Sequence, residues 1–471
     1  MDGPARSARV FESSDARADR GTLADLVADL HDVDLAAPPV ILPDFHHKRN
    51  METPSSVAIA TRDTIRPTLT SSSLNCGMAL LALDLERPNE RDVEQFYRQV
   101  KDRFPFPRTN RRDLTADDVV QCAIEGGDFA AERFGVDSGE LERVEERGRV
   151  DIARYGDADR IRRQLPRMVV ELSRLRFGSI GPSNHFIEMQ EVEEVFAPEV
   201  AAKLGVAQGQ VTVQYHGGGG VLTGELGHLF GRRRDFPRPL RMQMAIQKPL
   251  HHLASAKSFE QLRQRLDLYF TKGCPPVPQR SDEGERLLLA NAFAMNYGFA
   301  FRLATYSWLR EFSQRAFGPS GMRLVVDSPH NSIYEEEVGG RPAVVHRHNA
   351  ARAFTPDRLA AHPTFAETGQ AILLPGTHRT SSYLCVASGG AHRTLHSACH
   401  GAGTVVQDFV TRGISGPDPR GRATLRFRYS DAAPARDPHH DDRGIDEAVR
   451  ILVDHDVLRP VARLRPFAVL N

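Results

Sequence analysis

A helical stretch over residues 283–317, carrying LLLANAFAMNYGFAFRLATYSWLREF, constrains the fold of this chain more than any other feature. Apolar residues recur along it at helical spacing, which predicts one long helix. Short strands and glycine-bearing loops are expected over 178–231. Beyond Met322, short strands are each followed by a loop holding His, Asn or Gly. Residues 57–85 contain two β-type apolar runs flanking a Ser/Thr loop, which places Cys76 at the start of a buried strand. Charged, helix-rich sequence covers roughly 91–175. The expected fold class is mixed α/β (α+β), with one large domain over residues 39–471 and a central pocket built from strand-loop junctions. Residues 1–38 are polar, with one short helical pattern over 22–30, and read as a loosely attached leader. Residues 413–443, rich in Pro, Asp, Arg and Gly, read as loop.

Several classes of protein are disfavoured. No apolar run approaches the roughly 18 residues of a membrane-spanning helix, and the first twenty residues lack the apolar stretch of a secretory signal. A cytoplasmic setting and no membrane partner are therefore expected. The five cysteines, Cys76, Cys122, Cys274, Cys385 and Cys399, are odd in number and form no C-x-x-C pair. A functional cysteine here should act as a thiolate rather than in a disulfide. Basic and acidic residues balance at 61 each, so binding to nucleic acid must come from a local patch. The Arg-rich runs over 161–178 and 231–242 are candidates, although a solvated helix face is the more common reading of such runs. Only six of the basic residues are lysine.

Five places put a metal ligand or nucleophile at a strand-to-loop junction. They are NCGM with Cys76, SNHFIE with His185, QYHGGGG with His216, DSPHNS with His330 and SACHGAG with His400. Taken singly, a histidine is more often a satisfied core or surface residue. Each of these lies beside Gly, Asn or Ser, where side chains converge on a pocket instead of packing. One thiolate with several imidazoles suits zinc or another borderline first-row metal. Beside its Gly-x-Gly turn, His400 has three readings: attack on a phosphate, metal binding, or space filling.

In chain order, ILPDFH, NCGM, NHFIE, HGGGG, AMNYGFAFR, DSPHN, VVHRHNAARAF, LLPGTHRTSSY, SACHGAG and the closing LRPFAVLN resemble the RtcB family of RNA ligases. The resemblance implies a GTP-dependent enzyme acting in RNA repair or tRNA splicing. Such an enzyme joins RNA ends bearing a 3′-phosphate or 2′,3′-cyclic phosphate to 5′-hydroxyl ends. His400 then takes the place of the nucleophile that forms a histidine–GMP intermediate, with the glycines of its loop letting backbone N–H groups approach phosphates. Cys76 takes the place of a cysteine shared by two Mn2+ ions, with Cys76, His216 and His330 on one and His185 on the other. Asn184, Phe186, Glu188, Asn331, Pro375, Gly376, Ser382, Gly401, Ala402 and Gly403 take nucleotide-contacting places. An activating protein partner is compatible with the resemblance.

The chain departs from the family pattern at several cationic or anionic positions. Ser73 stands where a metal-binding aspartate is expected, so the second metal should bind weakly or not at all. Gly220 and Thr404 stand for arginines and Asn471 for the terminal lysine. HHDDRGID offers no tyrosine to stack on guanine. Arg347 and Arg352 are retained, and His348, His378 and Arg379 lie in the altered motifs where they can compensate. Two alternatives keep the same fold: a metal-dependent RNA-end phosphoesterase and a non-catalytic RNA-end-binding protein. The presence of His400 favours the ligase, because neither alternative needs a nucleophile there.

Overall fold

The computed structural model describes residues 7–48, 51–106, 113–178, 180–181, 185–231, 238–271 and 275–471. The expected long helix is Asp282–Phe317, 36 residues. The Ser281 side chain accepts from the Gly284 N–H, and Asp282, Glu283 and Glu285 occupy the first turn, where the helix dipole favours negative charge. Every residue from Arg286 to Tyr306 is buried. A helix apolar all round belongs in the middle of a core, and this one lies between a layer of helices and a sheet. Helices Glu90–Arg103, Ala116–Glu125, Gly127–Phe134 and Gly220–Leu229 pack against it.

The sheet has nine strands. Along its main path run Ala371–Leu374, Ser382–Ala387, Leu458–Leu470, Phe186–Val195, Val211–Gly217, Gly77–Leu83 and Met322–Pro329. The strand GMALLAL is buried at every position because both of its faces are covered. Ala79, Leu81 and Leu83 join the core around the central helix. Met78, Leu80 and Ala82 join a second core with Leu204, Val206 and Phe365. Period-two alternation therefore disappears from its sequence. Cys76 immediately precedes this strand, as expected.

A five-stranded sheet completes the fold, in the order Arg9–Val10, Val40–Ile41, Val57–Thr61, Arg341–His348, Asn331–Val338. The loose attachment expected for residues 1–38 does not hold for their described part. Arg9–Val10 pairs in parallel with Val40–Ile41, and Phe11, Leu26, Leu30, Val33 and Leu35 are buried. A few apolar residues spread through polar sequence anchor the segment without forming a recognisable run. Residues 413–443 also depart from the loop reading. Ala423–Phe427 pairs with Ala435–Pro438 and, in parallel, with the C-terminal strand. Leu425 and Phe427 are buried, so the alternation in TLRFR is a strand signal masked by the surrounding Pro, Asp and Arg. Within 178–231, helix Pro198–Leu204 joins the two strands and helix Gly220–Leu229 follows the second. Among the described residues no helix is long and apolar enough to cross a membrane.

Two buried ion clusters fix these layers. Arg302, on the central helix, is fully buried with Asp327. Its Nε and Nη2 donate to the Asp327 carboxylate at 2.6–2.9 Å, and its Nη1 and Nη2 donate to the Asn75 carbonyl and side-chain oxygens at 2.7 and 2.8 Å. Nearer the start of that helix, Glu283 accepts from Arg265 at 2.5 Å, Arg286 at 2.7 Å and Tyr269 at 2.6 Å, which ties helix Phe259–Phe270 to the central one.

Removing one partner of a buried pair leaves the other charge uncompensated. Arg302→Met is expected to lower unfolding stability by about 3–5 kcal/mol in chemical denaturation; a change under about 1 kcal/mol would show that the pair is not holding the layers together. Burial raises the Glu283 carboxyl, but Arg286, Tyr269 and Arg265 outweigh it and hold the group below the ordinary carboxylate range. A carboxyl depressed on folding stabilises fully above its unfolded pKa, and that contribution is lost as pH falls through the folded value. Thermal unfolding followed from pH 7 to pH 3 should therefore show a shallower acid-side loss in Glu283→Gln than in the parent. Parallel curves would contradict this assignment.

Candidate functional site

A cavity of about 810 Å³ opens where the loops of the two sheets meet. Its residues come from distant segments, joined by backbone hydrogen bonds. Asn75 adopts a left-handed conformation (φ 51°), accessible to asparagine at little cost. Its side-chain N–H donates to the Met295 carbonyl. Gly77 follows because a Cβ there would come within 2.8 Å of both the Arg302 guanidinium and the Ser328 carbonyl oxygen. The order Asn-Cys-Gly is thus imposed by Arg302 beneath it. The Asn75 N–H donates to Asn331 O and the His330 N–H to Cys76 O, both at 2.9 Å. Asn331 Oδ1 accepts from the Asn349 N–H at 2.9 Å, and Asn349 O accepts from the His400 N–H at 3.3 Å. His216 lies in strand Val211–Gly217, in register with Met78 on one side and Phe186 on the other.

These constraints bring the candidate ligands together. Cys76 Sγ is 3.1 Å from His216 Nε2 and 3.4 Å from His185 Nε2. One ligand atom from each of Cys76, His216 and His330 lies within 4.8 Å of the others, and among the described residues this is the one such group placed to hold a metal ion. The His400 ring is 4.1 Å from the His330 ring and 6.0 Å from that of His216. His330 Nδ1 and His400 Nδ1 are both buried without a hydrogen-bond partner, an arrangement that native interiors avoid unless a ligand completes it. A thiol and imidazoles with unpaired nitrogens form a donor set that fits a borderline first-row cation.

The electrostatics agree with that fit. Burial holds His185 down to about 4 and His330 well below its ordinary value; His400 is held down to about 3 by burial, then by Lys48 and His46. The imidazoles are therefore neutral at pH 7, with lone pairs free to bind or attack. Burial pushes the Cys76 thiol up to about 11 against the pull of Arg302 and Lys48, so forming the thiolate ligand requires a cation to displace its proton. Burial also raises Glu188 to about 8, opposed by the hydrogen bond from Gln190.

Of the residues singled out in the sequence, Cys76, His185, His216, His330, His400, Phe186, Glu188, Asn331, Pro375, Gly376, Ser382, Gly401 and Gly403 all line the cavity. Ala402 does not. It is buried in the core behind the turn, with its N–H on Pro375 O. Asn184 and residues 232–237 of the second Arg-rich run lie outside the described residues. Ser73, Thr404 and Asn471 line the cavity, whereas Gly220 opens helix Gly220–Leu229. Of the compensating candidates, His378 reaches the cavity, with Nε2 held 2.9 Å from Asp437. His348 does not line it, and Arg379 donates to Pro438 O instead. Arg347 and Arg352 are absorbed by the buried Glu336 carboxylate. The first Arg-rich run forms helix Arg167–Arg176, with Val169, Val170 and Ser173 inward.

Sequence reasoning assigned no role to Asp44, His46, Lys48 or Asn349, which also line the cavity. Asp44 Oδ1 accepts from the N–H groups of Thr404 and Val405 at 2.7 and 3.1 Å. It thereby caps helix Gly403–Thr411 and locks ILPDFH against SACHGAG. The Thr404 hydroxyl lies 3.1 Å from His46 Nδ1. The scarcity of lysine was the available signal for Lys48.

The fold and the pocket define a mixed α/β protein with a buried thiol–imidazole cluster able to hold a metal ion, facing one further histidine on a glycine turn. The family model described as "tRNA-splicing ligase RtcB" matches residues 27–471. The chain is 31% identical over 424 residues to the tRNA-splicing ligase RtcB of Pyrococcus abyssi, covering 84% of this chain and 42% of that protein. Against the Pyrococcus horikoshii protein of the same description it is 31% identical over 425 residues, covering 84% and 44%. Against that of Thermococcus kodakarensis it is 28% identical over 459 residues, covering 91% and 86%. It thus spans under half the length of the two Pyrococcus relatives and most of the third. The chain belongs to the RtcB family.

Loss of a first ligand should be more severe than the roughly 10- to 100-fold drop in metal affinity that accompanies loss of an outer-shell partner. Cys76→Ser and His330→Ala are each expected to weaken binding of a divalent first-row metal ion by more than about 100-fold in equilibrium dialysis. Unchanged affinity in either variant would remove these residues from the metal site.

Proposed function

We propose that this chain is a GTP-dependent RNA ligase, with residues 39–471 as its catalytic domain and a cytoplasmic setting. It would join a 3′-phosphate or 2′,3′-cyclic phosphate end to a 5′-hydroxyl end through a histidine–GMP intermediate. One observation carries the reading: a neutral His400 ring, with an unpartnered buried Nδ1, stands 4.1 Å from the ring of the metal-site residue His330 at the wall of an 810 Å³ cavity. A hydrolase needs only an activated water and gives no reason for that imidazole.

In this reading, an imidazole nitrogen of His400 attacks the α-phosphorus of GTP. An N–P bond forms, the bond to the bridging oxygen breaks, and pyrophosphate leaves with the electron pair. An oxygen of the RNA 3′-phosphate then attacks the same phosphorus, and the N–P electron pair returns to His400. A cyclic end is first opened by water. The 5′-hydroxyl oxygen attacks the activated 3′-phosphate, GMP leaves, and the hydroxyl proton passes to solvent. A metal ion held by Cys76, His216 and His330, with Mn2+ the ion expected, would supply Lewis-acid stabilisation of charge on the phosphoryl oxygens. Gly401 and Gly403 allow close approach of the backbone to the phosphates, while Phe186, Glu188, Pro375, Gly376, Ser382 and Asn471 provide the remaining wall.

Incubation with α-labelled GTP and Mn2+ should leave an acid-labile label on the protein, absent in His400→Ala. A parallel incubation with ATP tests whether Asn471 in place of a lysine has changed the base that is accepted. Absence of label with either nucleotide, together with phosphate release from RNA ends, would contradict the ligase reading and favour hydrolysis.

A further inference from the structure

Among the described residues, the lining of the cavity contains one lysine and no arginine, and that lysine is Lys48. This is a sparse complement of cations for a pocket that receives phosphates, in a chain with 61 basic residues. The arginines retained in the neighbouring motif are neutralised elsewhere by Glu336. No carboxylate stands within ion-pair distance of the Lys48 ammonium among the described residues. Its field nevertheless reaches the Cys76 thiol, the Asp44 carboxyl and the rings of His330 and His400.

The metal donors tell a complementary story. Cys76, His216 and His330 make one compact set. His185, outside that set, has its Nε2 3.4 Å from Cys76 Sγ, and Ser73 offers a neutral hydroxyl where an anionic ligand would be needed. Asp44 is committed to the N-terminus of helix Gly403–Thr411. A second dication there would share the cavity with the Lys48 ammonium without an anionic ligand of its own, and like charges in one low-dielectric pocket repel. An ammonium needs no ligand set and binds phosphate as a point charge.

We propose that this pocket takes a single metal ion and that the Lys48 ammonium supplies the second positive charge against a bound phosphate group. The proposal deepens the ligase reading and rests on its placement of phosphates in this cavity, but it concerns binding, which can be measured without turnover.

The test uses the full chain, Mn2+ alone and then inorganic tripolyphosphate, with calorimetric titration and elemental analysis. The parent should bind one Mn2+ per chain. Lys48→Met should still bind one, but bind tripolyphosphate about 10- to 100-fold more weakly, with Lys48→Arg recovering most of the loss. Lys48→Met combined with Ser73→Asp should take up a second Mn2+. Two Mn2+ ions of similar affinity in the parent would overturn the proposal. So would unchanged tripolyphosphate affinity in Lys48→Met, with thermal unfolding confirming that the variant is folded. The parent failing to bind tripolyphosphate would overturn it as well. If Lys48-dependent tripolyphosphate binding is seen while no nucleotide labels the protein, the ligase reading fails and this proposal stands.

Discussion

The guanidinium of Arg302 is the point on which the pocket depends. It sits on the most deeply buried helix, fully removed from water, and its N–H groups serve three segments at once. Asp327, near the end of its strand, precedes His330, Asn75 precedes Cys76, and Gly217, the last residue of its strand, follows His216. Burial pushes the Asp327 carboxyl upward and Arg302 opposes that push, so the pair holds only while both members are in place. A pair this deep contributes more to specificity of position than to net stability. It fixes where the three segments bearing Cys76, His216 and His330 lie, relative to one rigid helix.

Around that anchor, the pocket is closed by hydrogen bonds that run from one candidate residue to the next. The bond from His330 N to Cys76 O, the Asn349 N–H donating to the Asn331 side chain and the bond from His400 N to Asn349 O form a continuous hydrogen-bonded path from Cys76 to His400. Asp44 then ties the far side of the glycine turn to the loop that also bears His46 and Lys48. A carboxylate capping a helix start satisfies two N–H groups that would otherwise be orphaned. It also takes up the positive end of that helix, which leaves Lys48 as the one lysine or arginine among the described residues lining the pocket.

Much of this was legible in the sequence, for physical reasons that differ by element. The central helix announced itself because its apolar residues recur at helical spacing over many turns, and Cys76 could be placed at a strand start because GMALLAL admits little else. The grouping of Cys76, His216, His330 and His400 followed from their shared strand-to-loop setting and from the resemblance. The packing of residues 9–35 was not legible, since its anchors are single apolar residues separated by charges. The Ala423–Phe427 strand was hidden by composition. The fates of Arg347 and Arg352 were also hidden: an arginine in a motif reads as a phosphate ligand until a buried Glu336 is found against it. Lys48 and Asp44 had no chemical signature of their own and acquired meaning only from what lies opposite them.

A thiol and two imidazoles, held in place from below by Arg302, are thus arranged to surround one cation within reach of His400. Anomalous diffraction at the manganese edge from crystals grown with Mn2+ tests it most directly. One strong peak is expected within bonding distance of Cys76 Sγ and of imidazole nitrogens of His216 and His330, on the side facing the ring of His400. A peak coordinated by other residues, or none at these three despite bound manganese, would contradict it.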